Sequence, residues 1–563
     1  MYLSRIEIKA GEPAGHPPHA ARQLPLAAIL LLAVLFLGAD AHNSPIVKWD
    51  ESRNIINALE MRITGWSLVT TYDFKPDLWN TKPPLMIWLL NASVTLFGPT
   101  EWALRLPALL AGLGALVATY IFTQRVSRSQ ALGVFAAAIV LLSPGFYGVH
   151  GAHTADYDAL LTCFTTAYLA LLFRMATRLR PSRATAVAAG ACIAGAVLTK
   201  SSAGLIPGAG VLVFLLASGR LTRVLALPRT WLAALVAFVP VALFYAAREA
   251  VEPGYLRAVL HNEFGGRFGG SLIGREEPIY FYVRDMWQGW FFAAPLAPLA
   301  LFGWRELPGR QRFLVAYCLC TGLSLLAVVS FASTKLPHYA LPAYPPLAIA
   351  AALLLHGTWK RAAGMVTTAS QRVLLTVLAA FLLSLPTVRT LYWRAVSLSQ
   401  EHRGAESRYG QLFGSLAARG IREATVVEPG TRLRTWHDYA PVLRSYEMLW
   451  AEKGYRFQRG SAAPILASCH AETVAKLIRS GPDLSGVPGC VAVRRPRADR
   501  TARPAIRAAV RADRTQEGLT APAATGAAQL ARQPRRPATP LAGAPLRRNA
   551  GRPVRRSYCV PRS

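Results

Sequence analysis

The chain has 563 residues, of which 53% are hydrophobic and 16% charged, against a charged share of about 25% in soluble domains. These values exclude an ordinary soluble enzyme and a mostly disordered chain, and the length exceeds a single domain of ~100–200 residues. The formal charge of +32 does not mark a nucleic-acid binder, because Arg494 to Ser563 alone holds 17 Arg, no Lys and 3 acids, a net +14; seven cysteines without regular spacing exclude a disulfide scaffold or zinc ribbon.

A membrane helix needs ~20 mostly apolar residues. Such runs lie near 24–39, 102–122, 131–149, 158–173, 184–199, 203–217, 229–247, 283–303, 313–333, 341–357 and 373–388. The expectation is a polytopic all-α membrane protein with about 11–13 transmembrane helices. The 83–97 run opens with Pro83-Pro84 and carries Asn91 and Ser93, so it reads as a helix along the interface. The first run follows Arg5, Lys9 and Arg22 and ends in Leu37-Gly38-Ala39-Asp40-Ala41, which also fits a cleaved signal peptide. The multi-spanning chain behind it favours a retained anchor.

With a cytoplasmic N-terminus (1–24), the inner loops hold 16 Lys and Arg in 76 residues and the outer loops 11 in 112. Basic residues are therefore about twice as dense inside, as the positive-inside rule requires. An odd number of spans places everything after residue 388 outside.

Acids are nearly absent from the interiors of the apolar runs. They gather in outer loops: Asp50, Glu51, Glu60, Asp73 and Asp77 in the long first loop (40–100), Asp156 in the second, and Glu249, Glu252, Glu263, Glu276 and Glu277 in the fourth. Transporters place ionisable groups near the bilayer midplane, so chemistry at the outer face fits better than a lipid-linked-sugar flippase or an exporter. Thr199-Lys200-Ser201 has a phosphate-loop flavour but lacks the glycine spacing, which excludes nucleotide binding.

Five short motifs fall in order on that face. They are Asp50-Glu51, Lys82-Pro83-Pro84-Leu85, Arg105-Leu106-Pro107, Asp158-Ala159-Leu160, and Thr334-Lys335-Leu336-Pro337-His338-Tyr339-Ala340-Leu341-Pro342. Together they resemble the protein O-mannosyltransferase superfamily, glycosyltransferase family 39-like enzymes of the GT-C fold. Within it the likeness is greatest to the bacterial branch of lipid A aminoarabinose transferases, over residues 25–390.

The resemblance implies a GT-C catalytic domain at 25–390 in the bacterial inner membrane, with its active site extracytoplasmic. The donor would be a polyprenyl-phosphate-linked sugar, transferred with inversion to lipid A, another glycan or a protein; membrane lipid is a further partner and nucleic acid is not. Such a leaving group departs as a phosphate anion and needs cations more than a general acid. Lys82, Arg267 and Lys335 are the candidates, with Tyr339 as a hydroxyl donor; Lys82 matches the family's phosphate-binding lysine. The competing readings are headgroup snorkelling for the cations and an interfacial anchor for the tyrosine.

Asp50 matches the family's catalytic acid and Asp158 its second acid, with Glu51 beside the first. A hydroxyl acceptor needs a carboxylate base, whereas a phosphate acceptor needs only positioning. The acids of Asp50-Glu51 also suit a solvated helix N-terminus, and Asp156 could be a helix cap, so the choice between Asp156 and Asp158 stays open. Asp50, Asp156 and His153 could hold a divalent cation, the one cofactor considered; His150, His153 and Asp156 recur at three-residue spacing but also read as ordinary loop residues. Cys318 and Cys320 lie in a span and read as packing residues.

Residues 391–493 lose the apolar runs and read as a small extracytoplasmic α/β domain. It has a strand at 424–428 and helices at 439–455 and 471–479, and its role is support or acceptor docking. Cys469 and Cys490 would be free to pair in an oxidising compartment. The tail, 494–563, is rich in Arg, Pro and Ala and reads as disordered.

Overall fold

The computed structural model describes residues 19–41, 44–46, 49–265, 277–401, 406–427, 440–459 and 463–494. Arg267 and all of the tail after Arg494 lie outside the described residues.

The described chain is mostly helical. Among the described residues, seven helices are long and apolar enough to cross a membrane: Glu101–Ser127, Tyr157–Thr177, Arg183–Gly204, Pro228–Val251, Gly309–Phe331, Pro337–Met365 and Ala369–Val396. Three further expected runs form shorter apolar helices, Pro25–Gly38, Gln130–Leu141 and Ile206–Ala217. Proline explains two of these limits: Pro144 follows the second, and Pro207 opens the third. The run at 283–303 is not one continuous helix. It passes through π-helical, turn and 3-10 stretches, because Gly289, Pro295, Pro298 and Gly303 each weaken or break an α-helical ladder. The stretch containing it nevertheless runs between the two ends of the bundle, from Tyr282, whose hydroxyl donates to Leu336 O at 3.1 Å, to Glu306, paired with Arg361 at 2.6 Å.

Small residues let the helices approach closely. A Cβ on Gly190 would stand 2.4 Å from Ala233 O, and one on Gly210 2.3 Å from the Thr321 Cα. Such contacts drive association where lipid removes the hydrophobic gain between helices. Toward the opposite end from the cavity described below, Phe122, Phe173, Phe214, Phe313 and Tyr317 form an edge-to-face cluster with ring centroids 5.1–6.4 Å apart.

The long loop after the first apolar helix folds as a helix, Trp49–Thr64, a hairpin of β1 (Thr71–Tyr72) and β2 (Lys75–Pro76), and the predicted helix Leu85–Phe97. Asp73 and Phe74 both take positive φ, as a tight hairpin turn demands.

After residue 406 the chain builds a four-stranded sheet from β3 (Glu423–Val426), β4 (Arg456–Arg459), β5 (Ile465–Ser468) and β6 (Val491–Arg494). The order is β4-β3-β5-β6, with β3 parallel to β4 and β5, and β6 antiparallel to β5. The helices are Tyr409–Ala418, Pro441–Ala451 and Ala471–Leu477. Pro441–Ala451 packs against Trp49–Thr64, with Ile46 N donating to the Tyr446 hydroxyl at 2.8 Å and Arg62 paired to Glu452 at 3.0 Å. The sheet unit thereby braces this first long loop.

Cys469 and Cys490 form a disulfide across a sequence separation of 21. Replacing both with Ser is expected to destabilise the sheet unit by about 3 kcal/mol through the freed loop entropy. Thermal unfolding of the variant, set against the oxidised protein, checks this.

Candidate active site

The Trp49–Thr64 helix carries Asp50, Arg53, Asn54 and Asn57 at intervals of three and four, hence on one face. The first three line a cavity of about 570 Å³. Glu51, one residue on, is not in the cavity wall. Its carboxylate is buried and receives Arg105 Nε at 2.8 Å, a second Arg105 nitrogen at 3.2 Å and the Ala155 amide at 3.1 Å. Arg105 also donates to Ser44 O at 2.6 Å and Pro45 O at 3.2 Å. This knot joins the first loop, the second loop and the Glu101–Ser127 helix, which gives Glu51 and the Arg-Leu-Pro motif a structural task. Arg105→Ala would strand a buried carboxylate and is expected to cost about 3–5 kcal/mol of stability, measurable as a lowered Tm.

Arg53 is ion-paired with Asp77, and its guanidinium lies 5.0 Å from the Trp49 ring centre. Asp77 accepts from the amides of Trp79 and Asn80 at 3.1 Å each. Asn80 in turn donates to Asn57 and to the Tyr157 hydroxyl, both at 2.9 Å. These bonds set the loop that ends in Lys82, whose ammonium lies 5.1 Å from the Tyr157 ring centre. Lys82 lines the cavity with Asp50.

The second loop brings Asp156 and Asp158 to the same place. Asp156 caps the Tyr157–Thr177 helix, accepting from Tyr157 N at 2.7 Å, and also bonds His150 Nδ1. His150 sits at φ +65, a conformation few non-glycine residues adopt, and its Nε2 lies 3.7 Å from Asp50. Burial would lower the His150 pKa, but the Asp156 and Asp50 carboxylates outweigh it and raise the pKa. Burial would likewise raise Asp156, whereas the His150 charge and hydrogen bond hold it low.

Asp158 receives Lys200 Nζ on both oxygens, at 2.6 and 2.7 Å, with both side chains buried. Lys200 in turn lies 5.2 Å from the Tyr339 ring centre. His338 and Tyr339 complete the wall; the His338 ring is 3.9 Å from that of His150, centre to centre.

Of the expected residues, the structure brings together Asp50, Lys82, Asp156, Asp158 and Tyr339. Lys335 does not line the cavity: its ammonium donates to Ala332 O at 2.7 Å and Glu277 O at 2.8 Å, closing the turn that carries His338. His153 is outside the wall as well, and His150 is the imidazole grouped with Asp50 and Asp156. Arg53 and Lys200 also line the cavity, although neither stands in one of the five motifs. A signal existed for Lys200, the sole charge in its helix after Arg183 and thus costly in lipid unless used.

Below the cavity an apolar cleft is lined by Leu161, Ala203, Ile206, Leu325 and Val329. Asp158, Lys200 and Tyr339 belong to both. A charged chamber therefore continues into an apolar slot between helices.

Residues 81–245 match the model of the dolichyl-phosphate-mannose-protein mannosyltransferase family. This stretch is a domain of that family. The family domain holds Lys82, His150, Asp156, Asp158 and Lys200, while Asp50, His338 and Tyr339 come from outside it.

Among curated relatives, the undecaprenyl phosphate-alpha-4-amino-4-deoxy-L-arabinose arabinosyl transferase of Shewanella sediminis is 28% identical over 331 residues, 57% of each chain. That of Pectobacterium atrosepticum is 28% identical over 316 residues, 55% of each. An uncharacterized Aquifex aeolicus protein is 27% identical over 59% of this chain and 63% of its own. The matches thus span little more than half of these relatives' lengths. Around the family domain the fold is that of ArnT from Cupriavidus metallidurans, solved bound to undecaprenyl phosphate, with TM-score 0.60, 18% identity and coverage of 84% of this chain and 98% of that one.

Proposed function

We propose that the chain is an inverting membrane glycosyltransferase that moves a sugar from a polyprenyl-phosphate donor to an extracytoplasmic acceptor, lipid A or another glycan. The observation that carries this reading is the charged cavity joined to an apolar cleft through Asp158, Lys200 and Tyr339. A polyprenyl phosphate has that same polarity, an anion on an apolar tail. The names of the relatives, and the undecaprenyl phosphate bound in the ArnT structure, support a donor of this class.

In the proposed reaction Lys82 and Lys200 balance the charge growing on the leaving phosphate, and the Tyr339 hydroxyl donates to it. Asp50, with a side chain 42% exposed, faces the acceptor. It removes the proton from a hydroxyl, or fixes the position of an acceptor that is already anionic. The sugar's bond to phosphate breaks as its bond to the acceptor forms on the opposite face.

A cavity on the extracytoplasmic side is part of the proposal. It is supported by the excess of Lys and Arg in the opposite loops and by the Cys469–Cys490 disulfide on the sheet unit that braces the first loop. A flippase is less well supported, since Arg105, Asp158 and Lys200 all sit at the cavity end of their helices, away from the midplane.

Mass spectrometry of lipid A and extracted glycans, with and without the chain, tests the reading: a sugar adduct dependent on the chain is expected, and identical profiles would reject it. Lys82→Met removes one charged donor, worth about 1.5–3 kcal/mol, and is expected to raise the donor KM by about 10–100-fold.

A further inference from the structure

We propose that the cavity holds a divalent transition-metal ion between His150, His338 and Asp158, with Asp156 orienting the His150 ring.

One potential ligand atom from each of His150, Asp158 and His338 lies within 4.8 Å of the other two, and the same is true of Asp50, His150 and Asp156. Donors bound to a single ion at ~2.0–2.2 Å lie at most ~4.4 Å apart, so these atoms need close in by no more than a few tenths of an ångström to share one. The hydrogen bonding separates the two groups into ligands and support. His150 Nδ1 is already committed to Asp156, so only Nε2, on the Asp50 side of the ring, can bind an ion. A carboxylate behind one ring nitrogen and an open position before the other is the arrangement by which proteins fix a metal-binding imidazole.

Three further features agree. The His150 backbone takes a left-handed conformation that aims its ring into the chamber. His338 reaches the same point from a distant part of the chain. Asp158, though bonded to Lys200 through both oxygens, keeps a second lone pair on each. Two imidazoles and one carboxylate select Zn²⁺, Co²⁺ or Mn²⁺ over Mg²⁺ or Ca²⁺. The ion's role rests on the transferase reading, in which it adds positive charge beside the leaving phosphate; its presence does not.

The purified full-length protein, treated with chelator and titrated with Co²⁺ and Zn²⁺, tests this directly. About one ion per chain is expected, with Co²⁺ developing the visible absorption of a nitrogen- and oxygen-ligated site. His150→Gln and His338→Gln should each weaken binding at least 10-fold, while Lys476→Met, at an exposed position of the sheet unit, should leave it unchanged. Failure of both ions to bind, or wild-type affinity in either histidine variant, would overturn the proposal. Because the readout is binding, a protein that transfers sugar but binds neither ion would sink the metal site alone. A protein that binds metal but transfers nothing would instead count against the transferase reading.

Discussion

Replacing Asp50 with Asn is expected to cut sugar transfer by about 10²–10⁴-fold, the usual contribution of a positioned acid or base, while Tm and expression stay unchanged. The separation of these effects follows from the geometry. Asp50 lies in the cavity wall with its side chain 42% exposed, and among the described residues His150 Nε2 stands 3.7 Å from its carboxylate. A partly solvated carboxylate in a wide chamber contributes little to folding. Asn keeps the shape and removes both charge and basicity. If Asp50 were only a solvated acid at a helix start, the variant would transfer at the wild-type rate. Glu51, its neighbour in sequence, is expected to behave in the opposite way: Glu51→Gln should lower Tm, because it disrupts the Arg105 knot.

Lys200→Met is expected to destabilise the protein by about 3–5 kcal/mol, since it leaves the Asp158 carboxylate buried without its counter-charge. Both partners are buried, at 6% and 1% side-chain exposure, so solvent cannot replace the lost ammonium. Adding Asp158→Asn to Lys200→Met should recover most of that stability, because the double variant buries no net charge. It should recover no transfer, because the phosphate would then lack the Lys200 charge and keep only Lys82. A double-mutant cycle by thermal unfolding in detergent, run beside a transfer assay, separates the two. Equal stability of the single and double variants would refute the pairing, and transfer by the double variant would refute its role.

Much of this was legible in the sequence, for reasons specific to each element. The long apolar runs become helices of spanning length even where one proline interrupts them, as at Pro240 and Pro386, because a single missing ladder bond leaves the turns on either side intact. The run at 283–303 passes a hydropathy reading yet breaks, since composition averages over Gly289, Pro295 and Pro298 while backbone geometry does not. Asp50, Lys82, Asp158 and Tyr339 were found because each sits in a short motif at the end of a span. Arg53 escaped notice because it stands mid-helix, and its meaning depends on Asp77, which lies 24 residues away. Lys335 misled for the opposite reason. A lysine beside a phosphate-site tyrosine looks like an anion ligand, but two carbonyls at the turn claim its protons. His153 and His150 share a loop, and only the left-handed turn at His150 decides which imidazole enters the chamber.

Native mass spectrometry of the protein in lipid nanodiscs, titrated with polyprenyl phosphate, addresses most directly whether this chamber grips a lipid-borne phosphate. One lipid per chain should be retained by the wild type and by Asp50→Asn, with retention at least 10-fold weaker in Lys82→Met. Equal retention by all three, or none by the wild type, would contradict the account.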